Sequence, residues 1–476
     1  MQGVEGLLAE ITAMRQRVEA LEKRVTDLEA ENAALRTENA ALRAENTALR
    51  KALDEERRAG KRQASPFSRG IRKANPKKPG RKPGGPRSRR SIPTTIDRTV
   101  VVPPLLVCPH CSGAVRMGGI AHQYQTDLPP IEPMTTAFEI HYGFCTQCGR
   151  RVQARHPEQI SDATGAVGGV QIGPHAIALA AHLNKVCGVS YERIGEMFGQ
   201  VFGLRLERST IARALLRLAD RAESTYRHLI ETIRASPVVY PDETGWRVGG
   251  DKAWLWAVTT LTATVYLIER GRGFPEAAKI LGEAFAGVIG ADGWAPYRRF
   301  SNAERQLCLA HLLRRCKELL EVPPTEGCAN YIREIKALLQ QALALRDRRN
   351  QDRISPHGLH VSRGRLEAKL NRLLEEPDLH DESIRFAMHL LKNRDAILLF
   401  LRRSDVDATN FRAEQAIRPA VINRKTSGGN RTERGATAQA ILMSILRTCK
   451  QRSLDAMSVF EQILRSPTPL AHSLGR

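Results

Sequence analysis

A seven-residue period runs through the first fifty residues and constrains the fold more than any other feature of the chain. Val4, Ile11, Val18, Val25, Asn32, Asn39 and Asn46 lie seven apart, and Leu7, Met14, Leu21, Leu28, Leu35, Leu42 and Leu49 each follow three residues later. Only supercoiling keeps such a 3.5-residue stripe against a partner, so residues 1–56 are expected to form a coiled coil. Asparagine at three successive a positions favours a parallel, in-register pair. Glu31, Glu38 and Glu45 at g then face Arg36, Arg43 and Arg50 at e of the partner helix. A homodimer or higher oligomer follows.

Charge narrows the choice of partner. Lys plus Arg number 73 against 51 acids, a net of +22 over 476 residues. A surplus of this size points to a polyanion, with double-stranded DNA first. It is unevenly spread: residues 1–56 hold 12 acids and 8 bases, whereas residues 57–90 hold 14 bases and no acid. No apolar run approaches the roughly 18 residues of a membrane span. The start of the chain, with Glu5 and Glu10, lacks a secretory signal pattern, so a cytoplasmic protein without a membrane partner is expected.

Residues 57–98 read as a disordered basic linker. Pro76 to Pro86 runs P-K-K-P-G-R-K-P-G-G-P, which cannot bury a core. Arg81 and Lys82 resemble the arms that insert into a narrow minor groove, and a merely cationic tether is the alternative. In residues 99–160, Cys108-Pro-His-Cys111 and Cys145-Thr-Gln-Cys148 are separated by 33 residues. Two such turns can supply four thiolates to one tetrahedral Zn²⁺. With short strands expected at Gln123–Asp127 and Thr136–Tyr142, the unit reads as a zinc ribbon whose closed site is structural. His110 and His141 are surplus to it.

Residues 161–235 read as helical. Ser190 to Phe198, a Gly-containing turn and Ser209 to Leu218 resemble a helix-turn-helix, with Ser209 as N-cap and Ile211, Leu215 and Leu218 on one face. Arg208, Arg213 and Arg217 would then face DNA. A plain helical bundle fits the same pattern.

From Pro237 the period changes to that of strands. Val238–Tyr240, Ala253–Thr259 and Thr264–Ile268 have short connections and read as an antiparallel meander. A helix at 275–283, a buried strand at 285–290, a fifth strand at 305–309 and a helix at 311–320 follow. This is the order of the ribonuclease-H-like fold. Asp242 leaves the first strand and Asp292 the fourth, its neighbour in that fold. Two carboxylates there can hold divalent cations for phosphoryl displacement, and Glu414 on a later helix is the best third ligand. Asp405 and Asp407 compete but precede the helix. Arg418, one turn beyond Glu414, together with Arg424 and Lys425, are candidate phosphate contacts. Cys308-Leu-Ala-His311 is read as a packing and hydrogen-bonding feature near the site rather than a metal pair.

Tyr240-Pro-Asp-Glu-Thr-Gly-Trp246, Asp292-Gly-Trp, Cys308-Leu-Ala-His311 and Asn410-Phe-Arg-Ala-Glu-Gln-Ala-Ile-Arg-Pro419 resemble the signature blocks of the bacterial insertion-sequence transposases of the sixty-six type. The zipper, basic linker and paired cysteines resemble that family's front half in the same order. The resemblance implies a DDE transposase with Asp242, Asp292 and Glu414 as the metal-binding triad. It also implies two Mg²⁺ or Mn²⁺ ions per active site, accessory proteins of the same element and a nucleoid-associated bacterial protein. Where the family often carries Asp-Asn before the glutamate block, this chain has Thr409-Asn410.

The expected fold is therefore multidomain α and α/β: parallel coiled coil, basic linker, zinc ribbon, helix-turn-helix-like region and ribonuclease-H-like core. That core is divided into 236–325 and 404–476 by a helical insertion at 326–403. The expected activity is DNA cleavage and 3′-end transfer. A dimeric zinc-containing DNA-binding regulator without chemistry, or a plain metal-dependent nuclease, is the alternative.

Overall fold

The structure, a computed structural model, describes residues 17–19, 21–42, 44–45, 48, 91–163, 171–321, 325–375, 381–471 and 474. Arg81 and Lys82, most of the basic linker and several heptad positions lie outside them. By its contacts the chain divides into two units, Met1–Pro86 and Arg87–Arg476.

In the first unit residues 21–42 are helical. Leu21, Val25, Leu28, Leu35 and Leu42 are each more than half exposed, so the chain itself leaves this stripe uncovered. Water-exposed leucines at a strict heptad spacing are stabilised only by a second helix. The expected result is that Leu28→Asp combined with Leu35→Asp converts an oligomer to a monomer. Unchanged mass of the double variant in sedimentation would refute the zipper.

The second unit is built on a mixed five-stranded sheet. Its strands are β3 (Val238–Val248), β4 (Asp251–Thr259), β5 (Thr264–Glu269), β6 (Val288–Ala291) and β7 (Glu304–Leu307), in the order β5-β4-β3-β6-β7. β3, β4 and β5 form the antiparallel meander, while β3–β6 and β6–β7 are parallel. β3 runs on to Val248, so Asp242 lies within the strand, opposite Ala257, rather than at its end.

Among the described residues of this unit, three helices precede the sheet: α1 (Pro174–Lys185), α2 (Tyr191–Phe202) and α3 (Arg208–Arg234). Ser190 caps α2 by accepting the Arg193 N–H, and Gly203 ends it in the left-handed region at φ 68°. α3 starts one residue before the expected cap. Glu207 holds the N-cap position and Ser209 lies inside the helix. Ile211, Leu215 and Leu218 are buried as expected, but the helix continues for 27 residues to bury Leu229 and Ile233 as well. Those residues share one core with Val239, Trp256, Val265 and Ile289 of the sheet. No break in packing therefore separates residues 174–234 from the strands.

A later helix, α11 (Glu433–Gln451), is buried on most sides along its middle: Ile441 and Ile445 pack with α3, whereas Ala440 and Met443 pack with Trp246 and Leu255. It also closes the sheet edge. Ser444 Oγ accepts the Tyr266 N–H at 2.8 Å and Thr448 Oγ1 the Thr264 N–H at 3.1 Å, so hydroxyls replace a missing strand along β5. α4 (Phe274–Leu281) lies between β5 and β6, and past β7 come α5 (Leu309–Glu321), α6 (Glu326–Asn350), α7 (Pro356–Glu375), α8 (Asp381–Leu391) and the short α9 (Leu399–Arg402). They form a second core around Ile332, Leu339, Leu370 and Phe400. α10 (Phe411–Ser427) then returns to the sheet, and α12 (Ala456–Arg465) packs with α1 and α3. Among the described residues no helix is long and apolar enough to cross a membrane.

Lys185 is 3% exposed, its Nζ donating to Gln439 Oε1 at 2.6 Å. Burial pushes its pKa down to about 7 from 10.5. Between those values the unfolded chain binds the extra proton, so this group makes stability rise with pH from about 7 to 10.5. Lys185→Met is expected to flatten that rise in thermal melts taken across the interval. An unaltered slope would show that the ammonium keeps its charge in the folded chain.

Candidate active site

Three carboxylates singled out from the sequence come from three separate elements. β3 and β6 pair as Val238↔Val288 and Val239↔Ile289, so continuing the register sets Asp242 level with Asp292. The ladder between them stops at Val239, because Pro241 has no N–H to extend it. Its carbonyl accepts instead from Asn410 Nδ2 at 2.8 Å. Asp292 follows β6 in a tight turn: Gly293 has φ 96°, and the Trp294 N–H donates to Asp292 Oδ1 at 3.0 Å. Glu414 lies in the first turn of α10.

Asp242 feels the charge of both other acids. Burial pushes Asp242 up to about 7, the charge of Glu243 adds to this, and those of Asp292 and Glu414 add further; the Glu243 N–H, donating to Asp242 Oδ1 at 2.9 Å, opposes the rise. Mutual repulsion of this kind is what a divalent cation relieves, and carboxylate oxygens suit Mg²⁺ or Mn²⁺. Among the described residues no three His, Cys, Asp or Glu side chains are yet close enough to enclose an ion. The acids are neighbours without forming a closed cage. Asp405 and Asp407, the competing acids, are taken by Arg403 at 2.7 Å and Arg412 at 2.6 Å.

Glu243 was not singled out from the sequence, although it adjoins Asp242. Successive strand residues face opposite ways, and its side chain is 3% exposed. There it pairs with Arg272 at 2.7 Å and accepts from the Tyr297 hydroxyl at 2.9 Å. Burial pushes Glu243 up while these two partners hold it down. Arg272 itself lies over the rings of Trp254, at 4.5 Å, and Trp294, at 4.0 Å. This inner ion pair braces the Asp292 turn through Trp294. The Asp-Glu dipeptide on a strand was the signal for it.

Among the candidate DNA contacts, Arg208, Arg213 and Arg217 are exposed along α3, and Arg418 and Lys425 are exposed on α10. Arg424 is different: its guanidinium donates to Thr244 Oγ1 at 3.0 Å and to the Gly245 carbonyl, bracing α10 against β3.

The cysteine pairs form two turns of identical pattern. The Cys108 N–H donates to the Gly113 carbonyl and its carbonyl accepts from Ser112; Cys145 does the same with Arg150 and Gly149. Ser112 at φ 58° and Gly149 at φ 69° occupy the same place in each. N–H groups aimed at the sulfurs hold both leading thiols low: His110 then Cys111 for Cys108, and Cys148 then Gln147 for Cys145. The strands expected at 123–127 and 136–142 do not form. Pairing flanks the turns instead, as a Val107↔Ala114 bridge and as β1 (Tyr142–Phe144) against β2 (Arg151–Gln153). The structure brings the cysteines together within each pair, and the two pairs do not meet as one metal group.

The chain is strongly cationic, and candidate acids come from two central strands of its mixed sheet and from a later helix. Residues 169–438 match the transposase IS66 family, and the chain belongs to that family. It is 25% identical over 296 residues to the uncharacterized protein y4qI of Sinorhizobium fredii (strain NBRC 101917 / NGR234), covering 55% of this chain and 53% of that protein. It is 22% identical over 406 residues to the uncharacterized protein y4jD of the same strain, covering 78% and 77%. The chain thus spans about half the length of the first of these relatives.

Proposed function

We propose that this transposase is of the DDE type, cleaving the ends of its element and transferring the freed 3′ ends to target DNA on a ribonuclease-H-like core. The observation that carries this reading is that the elements bearing Asp242, Asp292 and Glu414 are tied together: Asn410, at the start of the Glu414 helix, donates to the carbonyl of Pro241 at 2.8 Å, and the Cys308 N–H donates to the carbonyl of Ala291 at 2.8 Å. The sheet order, with an antiparallel meander beside two parallel strands, supports it. Two bound Mg²⁺ or Mn²⁺ ions would stabilise the attacking and leaving oxygens of the phosphodiester. Asp242 and Asp292 would hold them from the sheet and Glu414 from α10. Arg418 and Lys425 would receive flanking phosphates, and Arg208, Arg213 and Arg217 would bind along α3. The paired cysteines would hold one structural zinc, the heptads would join two chains, and accessory proteins of the element would complete the assembly. Incubating the protein with labelled element ends and Mg²⁺ tests the reading, with nicked and joined products expected.

The basic linker has its own expected result. Each phosphate contact contributes about 0.9 to the log–log salt slope of binding. Deleting residues 57–90, which hold 14 bases, should therefore flatten that slope visibly in titrations from low to physiological salt. An unchanged slope would leave the segment a tether.

A further inference from the structure

We propose that Cys308 and Asn410 act as one positioning unit that sets the three carboxylates against one another, touching neither metal nor DNA themselves. The proposal rests on the DDE reading and deepens it. Both residues are nearly buried, at 2% and 3% exposure. Each acid is tied to them through its own stretch of chain. Asn410 Nδ2 donates to the carbonyl of Pro241, the residue before Asp242, at 2.8 Å. The Cys308 N–H donates to the carbonyl of Ala291, the residue before Asp292, at 2.8 Å. The Asn410 carbonyl accepts the N–H of Glu414 at 3.2 Å. The two are joined by the Asn410 N–H donating to Cys308 Sγ at 3.2 Å. A second tie runs beside them, from the Leu309 N–H to the Ala408 carbonyl at 2.9 Å.

Two departures from ordinary behaviour mark the unit. Asn410 stands at the N-cap of α10, where an asparagine side chain would normally accept a first-turn N–H; here it makes no such bond and turns to Pro241. A neutral thiol is also a weak acceptor. Burial opposes charge on Cys308, yet the His311 imidazole and the N–H groups of Asn410 and His311 hold its thiol below the usual range. In return the bond to Cys308 raises His311 against its own burial. A sulfur held low in this way is a better acceptor than an ordinary buried thiol, and it sits at the positive end of α10. The Glu414 helix is thereby seated on the strand end that carries Asp292.

Calorimetric titration of the full-length protein with Mn²⁺, without DNA, tests this. Loss of one such tie is expected to weaken Mn²⁺ binding about tenfold in Cys308→Ala and in Asn410→Ser. Ser at 410 can still cap the helix, so it removes the Pro241 tie while keeping the helix start, and it decides the matter if Cys308→Ala does not fold. The double variant should bind little worse than the singles, since the residues act together. A purely structural pair would lower the melting temperature and leave the affinity of the folded protein unchanged. Binding within twofold of wild type in Asn410→Ser and in folded Cys308→Ala, while Asp242→Ala loses it, overturns the positioning role and spares the DDE reading. If Asp242→Ala binds Mn²⁺ as wild type does, the DDE reading itself falls.

Discussion

Asp242→Asn, Asp292→Asn and Glu414→Gln are each expected to lower both nicking and joining by roughly a thousandfold or more, with binding to element ends nearly unchanged. The amides keep the size and polarity of the acids but remove the charge that holds the cations. The three act as a unit, so double variants should be little worse than singles. End binding is expected to rest elsewhere, on the basic stretch and the exposed arginines of α3. Asp407→Asn is the control, because Asp407 is already paired with Arg412 at 2.6 Å. Strand transfer at a tenth of wild type or better in Glu414→Gln would remove it from the triad.

Metal analysis of the purified chain is expected to find about one zinc, and Cys108→Ser combined with Cys148→Ser is expected to lose it. The physical need is plain in the surrounding segment. Val101, Leu106, Leu128 and Met134 are 86%, 76%, 87% and 90% exposed, so apolar burial contributes little to its order. A four-thiolate zinc site is worth about 10–16 kcal/mol of apparent binding energy near neutral pH, which is folding energy when no preformed core exists. The twin turns already bring two sulfurs together and favour the thiolate at Cys108 and Cys145. Loss of zinc should therefore be accompanied by ready proteolysis between residues 99 and 160. Zinc retained in the double variant would overturn the assignment.

Much of this was legible in the residues because it is local. The change of period near Pro237 marks the start of β3, and short connections mark the meander through β5. Spacing within each Cys-x-x-Cys pair decides that the two sulfurs share a turn. Where local signals misled, long-range packing was the reason. Ser209 looks like an N-cap, but α3 is held at its start by what it buries along 27 residues, and the helix begins one residue earlier. The alternation at 123–127 found no partner strand. Arg424 reads as a free base on a helix, yet the turn of α10 carries it onto Thr244 and Gly245.

By itself the sequence determined the strand order, the two cysteine turns and the acid-free stretch, and it singled out three acids as candidates. Each depends on period, spacing or composition within a few tens of residues. Only the tertiary structure decided how those acids are held. Asp242 and Asp292 come from neighbouring strands whose parallel register is set at Val238 and Val239. Glu243 is the inner partner of Arg272 because strand residues alternate in face. Asn410 meets both Pro241 and Cys308 across separations of 169 and 102 residues. Contacts over such distances leave no period in a chain; they exist only once loop closure has been offset by a packed core.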